Sequence, residues 1–335
     1  MVRLPEATLP LWQAWPRALL SRLVASLGTG LILITFSEFV FLNEGPVIHL
    51  LARLEDGPLA TARYLPEFGL VYAWFAYIFL VVARGLNAAG WSGLILSGAI
   101  AAWAIEALII PLAYEGPPIS FFWPSIGWHA MVNVILGWVL LRWMMRRWPV
   151  WRQGAVFAAL GVAWAVWAKL FWAEDPAMVL PEPDGFTAFT AVIGLTWLVG
   201  MVLADHPIAR FRPTTCDGLV ALFTALPMGI AMGLPFGVWG LALGGLATLT
   251  LWALWRGRGG MSFEERHLSA APPKASYLAA LAMPATAALC FAFLPAEMDQ
   301  GLSFLITIPL LAIGTLLWAA AVIRLGLRIG LQRAE

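Results

Sequence analysis

The chain has 335 residues, 61% of them hydrophobic and 12% charged, and a formal net charge of +1. A soluble globule carries about 25% charged residues, so this composition, with a mean hydropathy of +0.83, excludes one. Backbone N–H and C=O groups in lipid must be satisfied within their own segment, so spanning elements are helices, and the absence of alternating ten-residue strands excludes an outer-membrane barrel.

Apolar runs predict an all-α, polytopic bundle of about ten spans, near 19–42, 68–82, 93–113, 125–141, 155–173, 186–203, 219–232, 236–255, 277–294 and 302–323. The first follows Arg17 and Arg22 like a secretory signal. It is nevertheless about twenty residues long, contains Glu38 and lacks a small-residue cleavage site, so it reads as an uncleaved span. After it, the loop from Asn43 to Glu67 contains the stretch Pro46 to Leu54, which suits a short helix lying in the interface. The loop from Glu174 to Gly185 is acidic and punctuated by proline.

Spans seven and eight, about 219–255, are rich in Gly and Pro. Gly229, Gly233 and Gly237 recur every four residues, as do Gly240 and Gly244, with Pro227 and Pro235 between. Small residues at that spacing let helix backbones approach closely, giving a packed hairpin; a broken helix pair around a transported solute is the alternative. Arg256 to Lys274 reads as a flexible connector. No polar stretch is long enough for a soluble domain, so residues 1–335 form one membrane domain.

Orientation follows from the basic residues, which are retained on the cytoplasmic side. With both termini inside, only Arg53, Arg63 and Lys169 of the 20 Lys and Arg residues face out. The expected location is a bacterial cytoplasmic (inner) membrane. Cys216 and Cys290 fall toward opposite ends of their spans and should not pair. Of the 19 tryptophans, Trp12, Trp15, Trp143, Trp148 and Trp151 cluster near span ends, where indole suits the headgroup region. Trp103, Trp164 and Trp167 lie deeper and fit bulk packing better than stacking on a flat ligand.

Three ionisable residues interrupt the apolar runs. Glu38 lies roughly 7 Å below the outer end of span one, Glu106 about 10 Å below that of span three, and His129 roughly 7 Å below that of span four, at 1.5 Å per residue. Asn133 shares a helix face with His129, and Glu44, Glu115, Tyr72 and Tyr114 lie at or near the outer rim. An intramembrane carboxylate or histidine is by default a functional site. Two carboxylates and an imidazole suit a divalent metal held by Glu38, Glu106 and His129, with Asn133 as a further ligand or supporting partner. They equally suit acid–base catalysis without metal, with Glu38, Glu106, His129 and Asn133 as the catalytic set. The structural alternative is a hydrogen-bonded tie between helices, in which a glutamate pairs with His129 or Lys169.

The stretch Phe122-Trp-Pro-Ser-Ile-Gly-Trp-His-Ala-Met-Val-Asn133 resembles the last motif of the intramembrane CAAX-protease and bacteriocin-processing family, in which Trp-Pro-Ser leads into a His followed four residues later by Asn. The resemblance implies cleavage of peptides or prenylated substrates within the membrane, with roles for His129 and Asn133. It covers about a dozen residues. The family's paired glutamates and arginine are not matched: Ala107 follows Glu106, and Pro111 stands where the arginine would be. A rhomboid Gly-x-Ser-Gly nucleophile is also absent, since Gly237-Val-Trp-Gly240 carries Trp in that place.

The leading expectation is therefore a membrane-embedded hydrolase, or another enzyme modifying a lipid, isoprenoid or peptide near the outer leaflet. Its partners would be membrane lipids and a hydrophobic small-molecule or peptide substrate, with no nucleic acid. The alternatives are a small-molecule transporter of two five-helix halves, and an assembly or scaffold subunit of a membrane complex.

Overall fold

The computed structural model describes residues 11–40, 45–88, 90–172, 180–259, 263–295, 298 and 300–328. Its helices are α1 (Leu11–Ile34), which runs on into a π-wound turn (Thr35–Phe39), α2 (Gly45–Glu55), α3 (Pro58–Leu86) and α4 (Gly90–Leu108). A second π-wound helix (Ser125–Leu140) leads directly into α5 (Leu141–Arg147), followed by α6 (Val150–Leu170), α7 (Pro183–Asp205), α8 (Thr215–Gly233) and α9 (Val238–Arg256). The short α10 (Phe263–His267) and α11 (Lys274–Ala280) precede α12 (Ala282–Phe293) and α13 (Phe304–Gly326).

Among the described residues there is no strand, and ten helical stretches are long and apolar enough to cross a membrane. They fall where the apolar runs predict them, within a few residues. The protein is an integral membrane helical bundle, and its outward-facing side chains, such as Phe223 and Leu241 at 69% and 79% exposed, contact lipid.

The core lies among α1, α3, α4, the second π-wound helix, α6, α7 and α12, while α8, α9 and much of α13 flank it. Glycines set the crossings. A Cβ on Gly28 of α1 would sit 2.5 Å from the backbone N of Ala204 on α7, and one on Gly161 of α6 would sit 2.2 Å from the Met283 carbonyl on α12. Such approaches bring backbones into dispersion contact that larger residues forbid. The hairpin of α8 and α9 is close only at its turn, where a Cβ on Gly240 would lie 2.2 Å from the Gly233 carbonyl oxygen; one on Gly244 would meet nothing within 4 Å, and one on Gly229 would meet Leu108 of α4. Helix α8 continues through Pro227, and the interruption falls in the turn at Leu234–Phe236 and Gly237 (φ +54°). The pair is thus a hairpin without the mid-span break that a broken solute-binding pair would need, and the glycine-mediated contact expected along its length is confined to the turn.

At the end of the bundle where α1 begins, buried and half-buried arginines clamp helices together. Arg22 binds Asp217 through two hydrogen bonds of 2.6 and 2.7 Å, and Arg84 binds Glu264 through two of 2.8 and 2.6 Å. Arg142 and Arg146 both reach Asp205, to which Tyr277 also donates at 2.9 Å. Burial raises the Glu264 pKa, but the Arg84 guanidinium outweighs it and the carboxyl lies below its ordinary range. The predicted interfacial helix is present as α2, whose Val47 and Leu50 are fully buried.

Candidate functional site

Proline and indole shape the backbone around the polar residues. The segment carrying Ser37 and Glu38 is wound with i→i+5 bonding, closed by Val40 N donating to Thr35 O at 2.9 Å. That wider turn leaves carbonyls available to side chains: Trp128 Nε1 donates to Phe36 O at 2.8 Å and Trp164 Nε1 to Phe39 O at 3.1 Å. The helix carrying His129 and Asn133 is wound in the same way after Pro124, with His129 N donating to Pro124 O at 3.1 Å. π-winding is rare and concentrates at functional sites. Here two such segments face each other, one bearing the serine and glutamate, the other the histidine and asparagine.

Helix α4 ends at Leu108, earlier than the sequence suggests, because Pro111 has no N–H to donate and its ring opposes helical continuation. Glu106 therefore sits in the last turn of α4, nearer the helix end than the expected 10 Å or so.

The expected residues nevertheless converge. Glu106 Oε1 lies 2.5 Å from His129 Nε2, and His129 Nδ1 receives Asn133 Nδ2 at 2.9 Å and Ser37 Oγ at 3.1 Å. Ser37 Oγ is 2.7 Å from the Tyr72 hydroxyl, which donates to Glu38 Oε1. A continuous chain, Glu38–Tyr72–Ser37–His129–Glu106, thus joins helices α3 and α4 and the two π-wound segments. All its members are buried, from fully for Ser37 to 8% exposed for Glu38. Two atoms within it have no hydrogen-bond partner, Glu106 Oε2 and Asn133 Oδ1. Buried polar atoms are rarely left so, and each such exception calls for an account.

Lys169 stands apart from this chain, with its ammonium 4.0 Å from the centre of the Phe291 ring. Glu38, Glu106 and His129 do not gather around one point. His129 turns one ring nitrogen to Glu106 and the other to Ser37 and Asn133, while Glu38 reaches it through Ser37, which donates to Glu38 Oε1 at 3.3 Å and also meets Tyr72. Among the described residues no three His, Cys, Asp or Glu side chains are placed to hold a metal ion. The cluster is enclosed, and a cavity of about 550 Å³ lined by Arg84, Arg210, Arg212 and Glu264 belongs to the arginine-rich end.

At the rim, Tyr114 is buried and stacks on Phe236 at 4.7 Å, its pKa raised by burial, and Glu115 is exposed. Glu44 lies outside the described residues. Tyr72 is not a rim residue but a buried part of the chain. Ser37 was the member the sequence concealed: a serine in an apolar run is usually a helix residue bonded to its own backbone, and its only outward sign is its place beside Glu38. The deep indoles pack as expected, Trp167 stacking on Trp128 at 5.1 Å.

Comparison with protein-family models, with curated proteins and with solved structures finds no match.

Proposed function

We propose that this protein is a membrane-embedded enzyme that hydrolyses a bond in a hydrophobic lipid, isoprenoid or peptide substrate, using His129 as its acid–base group. The observation that carries the reading is the clamping of His129 between a carboxylate at 2.5 Å and a hydroxyl at 3.1 Å, inside an apolar bundle. Glu106 fixes the ring and balances the charge it gains on taking a proton, Asn133 orients it, and Glu38 acts through Tyr72. Such a pairing of imidazole with carboxylate lets the carboxylate orient the ring and hold it by charge once it has taken a proton, which is what a general base requires. The likeness of the Phe122–Asn133 stretch to the CAAX-protease family agrees with this reading. The positive-inside pattern favours a site near the outer leaflet, in what we take to be a bacterial inner membrane.

Complementation of a deletion strain tests the proposal. His129→Gln and Glu106→Gln are expected to insert normally and fail to complement, as loss of an acid–base group slows catalysis about 10²- to 10⁴-fold. Full complementation by both would overturn it.

A second reading, proton-coupled transport, is favoured by one feature: the hydrogen-bonded chain has a carboxylate at each end and groups between them that both donate and accept. It predicts that purified protein in liposomes moves protons with its solute, and that Ser37→Ala, which removes the hydroxyl joining Glu38 and Tyr72 to His129, stops the movement.

A further inference from the structure

We propose that Ser37 is the nucleophile of this site, attacking a carbonyl carbon in an ester or amide carried on a hydrophobic chain. This rests on the hydrolytic reading above and deepens it by naming the attacking atom and the substrate class. The geometry is that of a hydroxyl, an imidazole and a carboxylate in series: Ser37 Oγ to His129 Nδ1 at 3.1 Å, His129 Nε2 to Glu106 Oε1 at 2.5 Å. The carboxylate holds the proton on Nε2, which leaves the lone pair of Nδ1 facing Ser37. That series defines an activated serine whatever the fold or residue order.

Three further observations set Ser37 apart from an ordinary helix serine. The neighbouring Thr35 spends its hydroxyl on the Leu31 carbonyl one turn back, at 2.8 Å, the usual habit of a hydroxyl in a helix. Ser37 instead points across the interface at His129 and Tyr72, from a π-wound turn whose Phe36 carbonyl is pinned by Trp128. The unpartnered Asn133 Oδ1 supplies the second observation. As drawn, Asn133 presents its NH₂ to the unprotonated Nδ1; turning the amide over would present Oδ1 to the N–H that forms when His129 takes the serine proton. Asn133 can therefore serve both protonation states of the ring. Thirdly, the Tyr72 hydroxyl lies 2.7 Å from Ser37 Oγ and gives its proton to Glu38 Oε1; released from Glu38, that O–H would donate to the carbonyl oxygen as negative charge develops there.

The chemistry balances without any co-reactant but water. As the Oγ–C bond forms, the serine proton passes to His129 Nδ1, and the imidazolium is held by Glu106. Collapse of the tetrahedral adduct breaks the bond to the leaving oxygen or nitrogen, which takes that proton away. Water then attacks the acyl-serine, giving one proton to His129 and its oxygen to the acid product, and His129 returns the proton to Ser37.

The test treats membranes containing the full-length protein with a fluorophosphonate and, separately, with the smaller phenylmethylsulfonyl fluoride, followed by peptide mass spectrometry. The expected result is an adduct on Ser37, absent in Ser37→Ala and formed about 10²-fold or more slowly in His129→Gln. No adduct on Ser37 with either reagent overturns the proposal, as does an undiminished rate in His129→Gln. Complementation separates this idea from its premise. If Ser37→Ala complements fully while His129→Gln and Glu106→Gln do not, the nucleophile is wrong and the acid–base site stands; if all three complement, both fall. Ser37→Cys, which keeps a nucleophile in place, should move labelling from the fluorophosphonate to iodoacetamide, and melting curves confirm that each variant is folded.

Discussion

Glu106 is 2% exposed, with one carboxylate oxygen on His129 and the other without a partner. An unsatisfied buried polar group costs about 1–3 kcal/mol, more when charged, so this side chain is kept at the expense of stability. Glu106→Gln preserves shape and removes the charge. It is expected to match or exceed the wild-type melting temperature while failing in function; a large loss of melting temperature would instead mark Glu106 as a tie between helices. His129→Ala is the less informative change, because it leaves Glu106 buried without its partner, a class of defect that destabilises by about 3–5 kcal/mol. Glu264 offers a contrasting residue. Its folded pKa lies below the unfolded carboxylate value of about 4.3, so its ion pair with Arg84 contributes stability above that pH and loses it as pH falls through the depressed folded value. Glu264→Gln should therefore lower the melting temperature at pH 7, and the gap to wild type should narrow below about pH 4. A gap that is constant between pH 7 and pH 3 would show that the pair is not formed.

Between elements, backbone proximity matters more than any polar contact. A Cβ on Gly161 would lie 2.0 Å from Thr286 Oγ1 and 2.2 Å from the Met283 carbonyl, whereas one on Gly154 of the same helix would meet nothing within 4 Å. Gly161→Leu should therefore push α6 from α12 and lower the melting temperature by several degrees, as overpacking costs about 1–3 kcal/mol or more. Gly154→Leu serves as the control with little effect, and equal losses from the two would remove the crossing argument. Helix positions were legible because apolar runs of about twenty residues leave little else to form in a membrane. The π-winding at Thr35–Phe39 and Ser125–Leu140 was not, since hydrophobic periodicity carries no signal in segments buried on nearly every side. That winding, with the stop at Pro111, explains why Glu38, Glu106, His129 and Asn133 could be nominated from their rarity, while Ser37 and Tyr72, which link them, could not. The arginine clamps escaped for a related reason: Arg22, Arg142, Asp205 and Asp217 fall near the ends of the apolar runs, where the sequence suggests only headgroup contact.

At the scale of the whole molecule, the bundle is polarised. Its guanidinium–carboxylate pairs gather where α1 begins, and the Glu–Tyr–Ser–His–Glu chain lies toward the opposite end, beyond the middle of α1. The positive-inside pattern predicts the orientation of this polarity, with the arginine clamps cytoplasmic and the chain near the outer leaflet. Single cysteines replacing the exposed residues Glu115, Glu182, Arg152 and Arg266, in a background from which Cys216 and Cys290 have been removed, test it in intact cells. An impermeant maleimide should label the Glu115→Cys and Glu182→Cys proteins directly and reach the Arg152→Cys and Arg266→Cys proteins only after the membrane is opened. The loops that hold these four sites alternate along the chain, so one span wrongly counted would disturb the alternation at every later site, whereas a bundle inserted upside down would invert all four together. The inverted pattern would move the site to the cytoplasmic leaflet and direct the search for its substrate to the inner face.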